Sequence, residues 1–204
     1  MGHIEHTQKP QRTPLKTGTK IAEVRANIRK VYVAVVLATI PMTALLAALV
    51  GRRGHDAVWS LPEILLGLAL FVPLGVVHEL LHATAALVYG RVRPQDLRLA
   101  VHWKAGTLIC HIKVPIRVAA ARIVGLAPLA VTGPAMLALF LWHPSHVTVM
   151  LVIFAILGSA MDVVMVYYVW RFDDDLLIVD HPSEPGFDIY TAADDAVDKG
   201  SQHE

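Results

Sequence analysis

The chain has 204 residues, 55% of them hydrophobic, and a formal net charge of +1. An ordinary soluble domain is about 45–50% apolar; here the excess is gathered into long blocks, which weighs against a soluble globule and toward an integral membrane protein. One cysteine, Cys110, excludes an intrachain disulfide, and no nucleic-acid partner is expected.

Residues 1–30 hold seven Lys/Arg against two acids and read as a basic cytoplasmic tail. Residues 31–170 read as one all-α membrane domain of four transmembrane helices, at about 31–50, 64–89, 118–141 and 147–170. Each block is long enough for a hydrocarbon core of about 30 Å at about 1.5 Å per residue. Pro41, Pro73, Pro128 and Pro134 fall inside these blocks, which a membrane bundle tolerates when neighbouring groups take up the freed carbonyls. The first block is too long and too late for a cleaved signal peptide and reads as a retained anchor.

Loop charge sets the expected topology. Lys/Arg number seven before the first span, two in 51–63, six in 90–117 and none in 142–146. This alternation places both termini and 90–117 on the cytoplasmic side of a prokaryotic cell membrane, as a multi-pass protein. Within 90–117, the alternation of apolar and polar residues around Lys104-Ala105-Gly106 predicts a small cytoplasmic β-hairpin at about 97–116, between the second and third helices. Residues 171–204, with two Lys/Arg against ten acids, read as an acidic cytoplasmic tail. Asp173-Asp174-Asp175 reads as a solvated charge run, and His143 and His146 as members of an external loop.

The second block contains His78-Glu79-Leu80-Leu81-His82, an H-E-x-x-H pattern. Residues four apart on a helix share a face, so two imidazoles can aim at one metal ion. The intervening glutamate then stands where it can take a proton from water activated by that metal. Charged groups in mid-membrane helices are costly, at least about 2.5 kcal/mol each, and are rare without a role.

A catalytic zinc needs a third protein ligand. Asp162 is the one acid of the fourth block. It lies nine residues before Arg171, and His82 lies eight residues before Gly90, so the two sit at matching depth on helices running the same way. The alternative is that Asp162 pairs with Arg122, unless Arg122 snorkels to the interface. Gly158, Ser159, Ala160 and Gly125 allow close helix approach, and Pro128 falls near the same depth, where a kink could open a cavity. Cys110-His111 reads as alternating strand residues, with a second metal pair or a regulatory thiolate as the alternative.

This arrangement resembles the site-2 protease family of intramembrane zinc metalloproteases. It is more closely similar to a family of small prokaryotic membrane proteins described as zincin peptidases. The resemblance is carried by VVHELLHA at 76–83, CHIKVPIRV at 110–118 with Ala127-Pro128, GSAMDVV at 158–164 and DHPSEPGFDIY at 180–190. It implies zinc (Zn2+) held by His78, His82 and Asp162, Glu79 as general base, and hydrolysis of membrane-anchored protein or peptide substrates within the lipid bilayer. Site-2 proteases carry a glycine after the aspartate and an asparagine near it. Here Val163 follows Asp162, and the asparagine is Asn27, outside the blocks. The resemblance therefore leaves the oxyanion-stabilising group unassigned among Ser159, His111 and a backbone N–H. The alternative function is a non-proteolytic membrane metal-binding scaffold or regulator.

Overall fold

The structure, a computed structural model, describes residues 15–25, 27–52, 59–102, 107–180 and 186–193. Four helices fall on the four apolar blocks: α1 (Ile28–Gly51), α2 (Leu61–Val88), α3 (Val118–Trp142) and α4 (His146–Val169). Each is long and apolar enough to cross a membrane. Large apolar side chains such as Leu37, Leu45, Leu65, Val72 and Val88 stand exposed on their outer faces. A continuous apolar exterior of this kind is compatible with a bilayer as the surrounding solvent.

The helices start where the sequence supplies caps. Asn27 accepts from the Lys30 N–H at 3.1 Å. Ser60 and Glu63 form a capping box on α2, and Ser145 and Thr148 form one on α4. Such caps contribute about 1 kcal/mol each by satisfying first-turn N–H groups. The start of α3 has no side-chain cap. Its first N–H groups donate instead to carbonyls of the segment after α4, Val118 to Leu176 at 2.8 Å and Ala119 to Asp174 at 3.3 Å.

The 143–145 connection is too short for anything but antiparallel neighbours. The second and fourth helices run parallel: Gly67 faces Met150, and further along both helices Gly158 faces His78. Where α1 meets α4, Leu46 and Val50 pack with Val149 and Val152 at the far end of the bundle.

All the strands gather at the opposite end. The predicted hairpin is present as β2 (Leu97–His102) and β3 (Thr107–Ile112), paired antiparallel from Leu97↔Ile112 to His102↔Thr107. Its expected turn at Lys104-Ala105-Gly106 lies outside the described residues. Ile112 and Ile116 pack against Ala85 and Ala86 of α2 and Val124 of α3, which holds the hairpin on the helices.

A second sheet was not foreseen. Parts of both tails fold together with the residues just before α3: β1 (Thr17–Arg25), β4 (Ile116–Arg117), β5 (Leu177–Asp180) and β6 (Gly186–Ala192) form an antiparallel sheet in the order β1-β6-β5-β4. The fold is therefore mostly helical rather than all-α. The opposite charges of the two tails meet across strands, where Asp188 lies 3.0 Å from Lys20 and 3.4 Å from Arg25. These partly exposed pairs contribute little, about 0–1 kcal/mol each. Burial does more: Val24, Ile178 and Ile189 close over Val118 at the start of α3 and Val169 at the end of α4. The charge run is also partly engaged, Asp174 with Arg122 and Asp175 with Arg117.

The sheet thus anchors the ends of the helices. Ile189 is fully buried, so Ile189→Ala should cost about 2–5 kcal/mol, read as a fall in the melting temperature of detergent-purified protein. A loss below about 1 kcal/mol would mean that the sheet does not hold the bundle.

Candidate metal centre

Two turns of α2 supply the first part of the site. His78 and His82 stand one turn apart on one face, with ring centroids 4.9 Å apart and planes at 79°. With Glu79 they form a group whose ligand atoms all lie within 4.8 Å of one another, a group able to hold a metal ion. From α4, Asp162 Oδ2 reaches to 3.1 Å from His78 Nε2 and 3.4 Å from His82 Nε2. Arg122, the other partner considered for Asp162, is turned away. Its guanidinium donates to Trp170 O at 3.1 Å and Phe172 O at 2.5 Å and stacks over the Trp170 ring, where a cation suits the carboxyl end of α4.

Small residues bring these helices together. A Cβ on Gly158, one turn before Asp162, would stand only 3.8 Å from His78 Nδ1. On α3, a Cβ on Gly125 would fall 2.6 Å from Val166 Cγ2. Any side chain at Gly125 would therefore have to displace the Val166 side chain or part α3 from α4.

The donor set suits zinc. Ligands bound tetrahedrally at about 2.0–2.2 Å stand roughly 3.3 Å from one another, close to the two distances from Asp162 Oδ2. By distance alone an imidazolium–carboxylate pair would also fit. Yet Oδ2 is buried and makes no aligned hydrogen bond. Lone pairs of two nitrogens and one oxygen converging on a common point account for that better than a hydrogen-bonded pair does. His82 is oriented from behind, with Nδ1 2.8 Å from the carbonyl of Val124 on α3. A carbonyl only accepts, so Nδ1 carries the hydrogen and Nε2 is left with its lone pair facing Asp162.

Glu79 is oriented differently. Its Oε2 accepts the backbone N–H of Cys110 at 2.7 Å. The next N–H on the same edge of β3, that of Ile112, donates to Asp180 Oδ2 at 3.2 Å, and this carboxylate also lies 3.3 Å from His111 Nδ1. Two carboxylates from α2 and β5 therefore line the β3 edge that faces away from β2. Burial raises the Asp180 pKa against the opposing effects of the Ile112 N–H and His111. The Cys110 thiol is pushed up to about 11, first by burial and then by Glu79 and Asp180. Among the described residues, Cys110 and His111 belong to no metal-holding group.

His146 is not in a loop: it is the buried first residue of α4, 3.2 Å from Glu63 and stacked on Trp59, at the end of the bundle away from the site. Ser159 is buried with its hydroxyl unpartnered. Sequence reasoning missed the Val124 carbonyl and the Cys110 N–H, because backbone groups leave no signature in residue type.

A protein-family model described as "Putative zincin peptidase" matches residues 70–177, more than half the chain and inclusive of His78, Glu79, His82 and Asp162. The chain belongs to this family. Neither a curated protein nor a solved structure matches it.

The space at Gly158 gives a direct test of the geometry. Gly158→Ala meets only ordinary contact with His78 and should leave zinc affinity within about threefold of wild type. Gly158→Leu must displace the His78 ring and should weaken zinc by at least about tenfold, as losses of ligand orientation do. A chromophoric zinc-chelator competition measures both. Equal affinity in the two variants would contradict the close approach of α4 to His78.

Proposed function

We propose that this zincin-family protein is a zinc-dependent intramembrane endopeptidase, related to the site-2 proteases, that cleaves membrane-anchored proteins or peptides. The observation carrying the reading is the convergence of Asp162 Oδ2 with the Nε2 atoms of His78 and His82, from two long apolar helices, beside Glu79. His78, His82 and Asp162 are proposed as the ligands and Glu79 as the general base. The alternative third ligand, Glu79, has one carboxylate oxygen committed to Cys110 N–H, whereas Asp162 Oδ2 has no hydrogen-bond partner.

A zinc ion held there supplies Lewis acidity, polarising a carbonyl and acidifying water. Glu79 takes the proton of the attacking water and passes it to the nitrogen of the leaving amine. The Cys110 N–H holds the Glu79 carboxylate in place, and the Val124 carbonyl holds the His82 ring. The site lies nearer the strand-bearing end of the bundle, six residues before the end of α2, so water and an extended substrate segment enter from that side. The uneven Lys/Arg content of the connecting segments supports a cytoplasmic placement of that side, and the proposed setting is a prokaryotic cell membrane.

One observation favours a second reading, a non-proteolytic metal-binding scaffold: the bond from Cys110 to Glu79 gives the glutamate a structural job. Glu79→Gln separates the two. An endopeptidase keeps zinc and loses about 10²–10⁴-fold in turnover of quenched-fluorescent transmembrane peptides. A scaffold keeps zinc and shows no cleavage in either form.

A further inference from the structure

Proline has no N–H, so Pro128 cannot make the ordinary helix bond to the carbonyl of Val124, four residues earlier in α3. Its ring also crowds that carbonyl and tilts it outward. Both residues are buried, Pro128 fully. A buried carbonyl without a donor is costly, and this one receives the Nδ1–H of His82 at 2.8 Å. Prolines also interrupt α1 at Pro41, α2 at Pro73 and α3 again at Pro134. Among the described residues, Val124 alone of the carbonyls so freed takes a side-chain donor.

We infer that Pro128 is a positioning residue for the metal centre: by emptying the Val124 carbonyl it fixes the tautomer and the aim of His82. Any other residue at 128 brings an N–H that competes for the same oxygen. A carbonyl has two lone pairs, so competition weakens the contact rather than abolishing it. The ring then turns more freely, and its lone pair is shared between Nε2, facing Asp162, and Nδ1, facing α3. The missing N–H thus keeps an acceptor available for a side chain of the neighbouring helix; that His82 binds zinc rests on the function proposed above.

The test compares Pro128→Ala with Pro134→Ala in full-length protein, by three readouts: zinc affinity from chelator competition, the His82 tautomer from imidazole 15N spectra of zinc-free protein at a pH where the ring is neutral, and the melting temperature without zinc. Pro128→Ala should bind zinc roughly tenfold more weakly, the low end of the cost of losing a ligand's outer hydrogen bond, because the contact is weakened and not abolished. It should also mix the two tautomers and melt no lower than Pro134→Ala. Pro134→Ala should retain wild-type affinity and tautomer. Wild-type affinity and tautomer in Pro128→Ala would overturn the inference, as would equal zinc losses in both variants. Zinc loss together with a lower melting temperature in Pro128→Ala alone would assign the proline to packing and overturn it too. If wild type takes no zinc yet its tautomer changes in Pro128→Ala, the positioning claim stands and the function proposed above fails.

Discussion

Polar groups among apolar helices are costly unless they find partners, because the apolar side chains around them offer none. Asp162 Oδ2 stands 3.1 Å from His78 and 3.4 Å from His82, and an ion held among the three would meet that constraint. This contact ties α2 to α4 at one level, where Gly158 leaves room for the His78 ring. A helix bearing two histidines and a glutamate would otherwise be expensive in apolar surroundings. The same cluster explains why α2, whose surface is mostly exposed, is fixed in rotation. Its polar stripe faces inward at α4, and its remaining faces are free to be apolar.

The rest of the molecule holds that contact in register. Val124 of α3 receives His82, and Cys110 of β3 holds Glu79. The terminal sheet packs on the first residue of α3 and the last of α4, and Arg122 binds the carbonyls where α4 ends. Each helix that contributes to the site is therefore fastened at its strand-bearing end, a few turns from the His78, His82 and Asp162 cluster. The outer side chains of α1 and α2, by contrast, carry only the apolar exterior.

Much of this was legible in the sequence. The four helices follow from block length and hydropathy. The relation of His82 to Asp162 follows from counting residues to the ends of two spans, since rise per residue fixes depth. The β2–β3 pairing follows from short-range alternation. The four-stranded sheet does not, because β1 and β6 are separated by more than 150 residues and neither carries a hairpin signal. Their weak alternation and surplus charge look like tails until the partner strand is known. Depth alone left Arg122 as an alternative partner for Asp162, because it says nothing about rotation around a helix; the structure turns Arg122 to the carbonyls at the end of α4, as a snorkelling side chain would be. Pro128 lies one turn from the Val124 carbonyl that meets His82, a backbone effect that residue type alone does not announce.

Metal content is the most direct test of the central claim. Detergent-purified wild type, His78→Ala and Asp162→Ala proteins would be compared by elemental analysis after zinc reconstitution. The account predicts about one zinc per chain in wild type, lost in both variants, because ligands from two helices share one ion. Zinc retained by a folded Asp162→Ala protein would move the third ligand away from α4, with Glu79 next in line. A wild type that takes no zinc would contradict the metal centre itself.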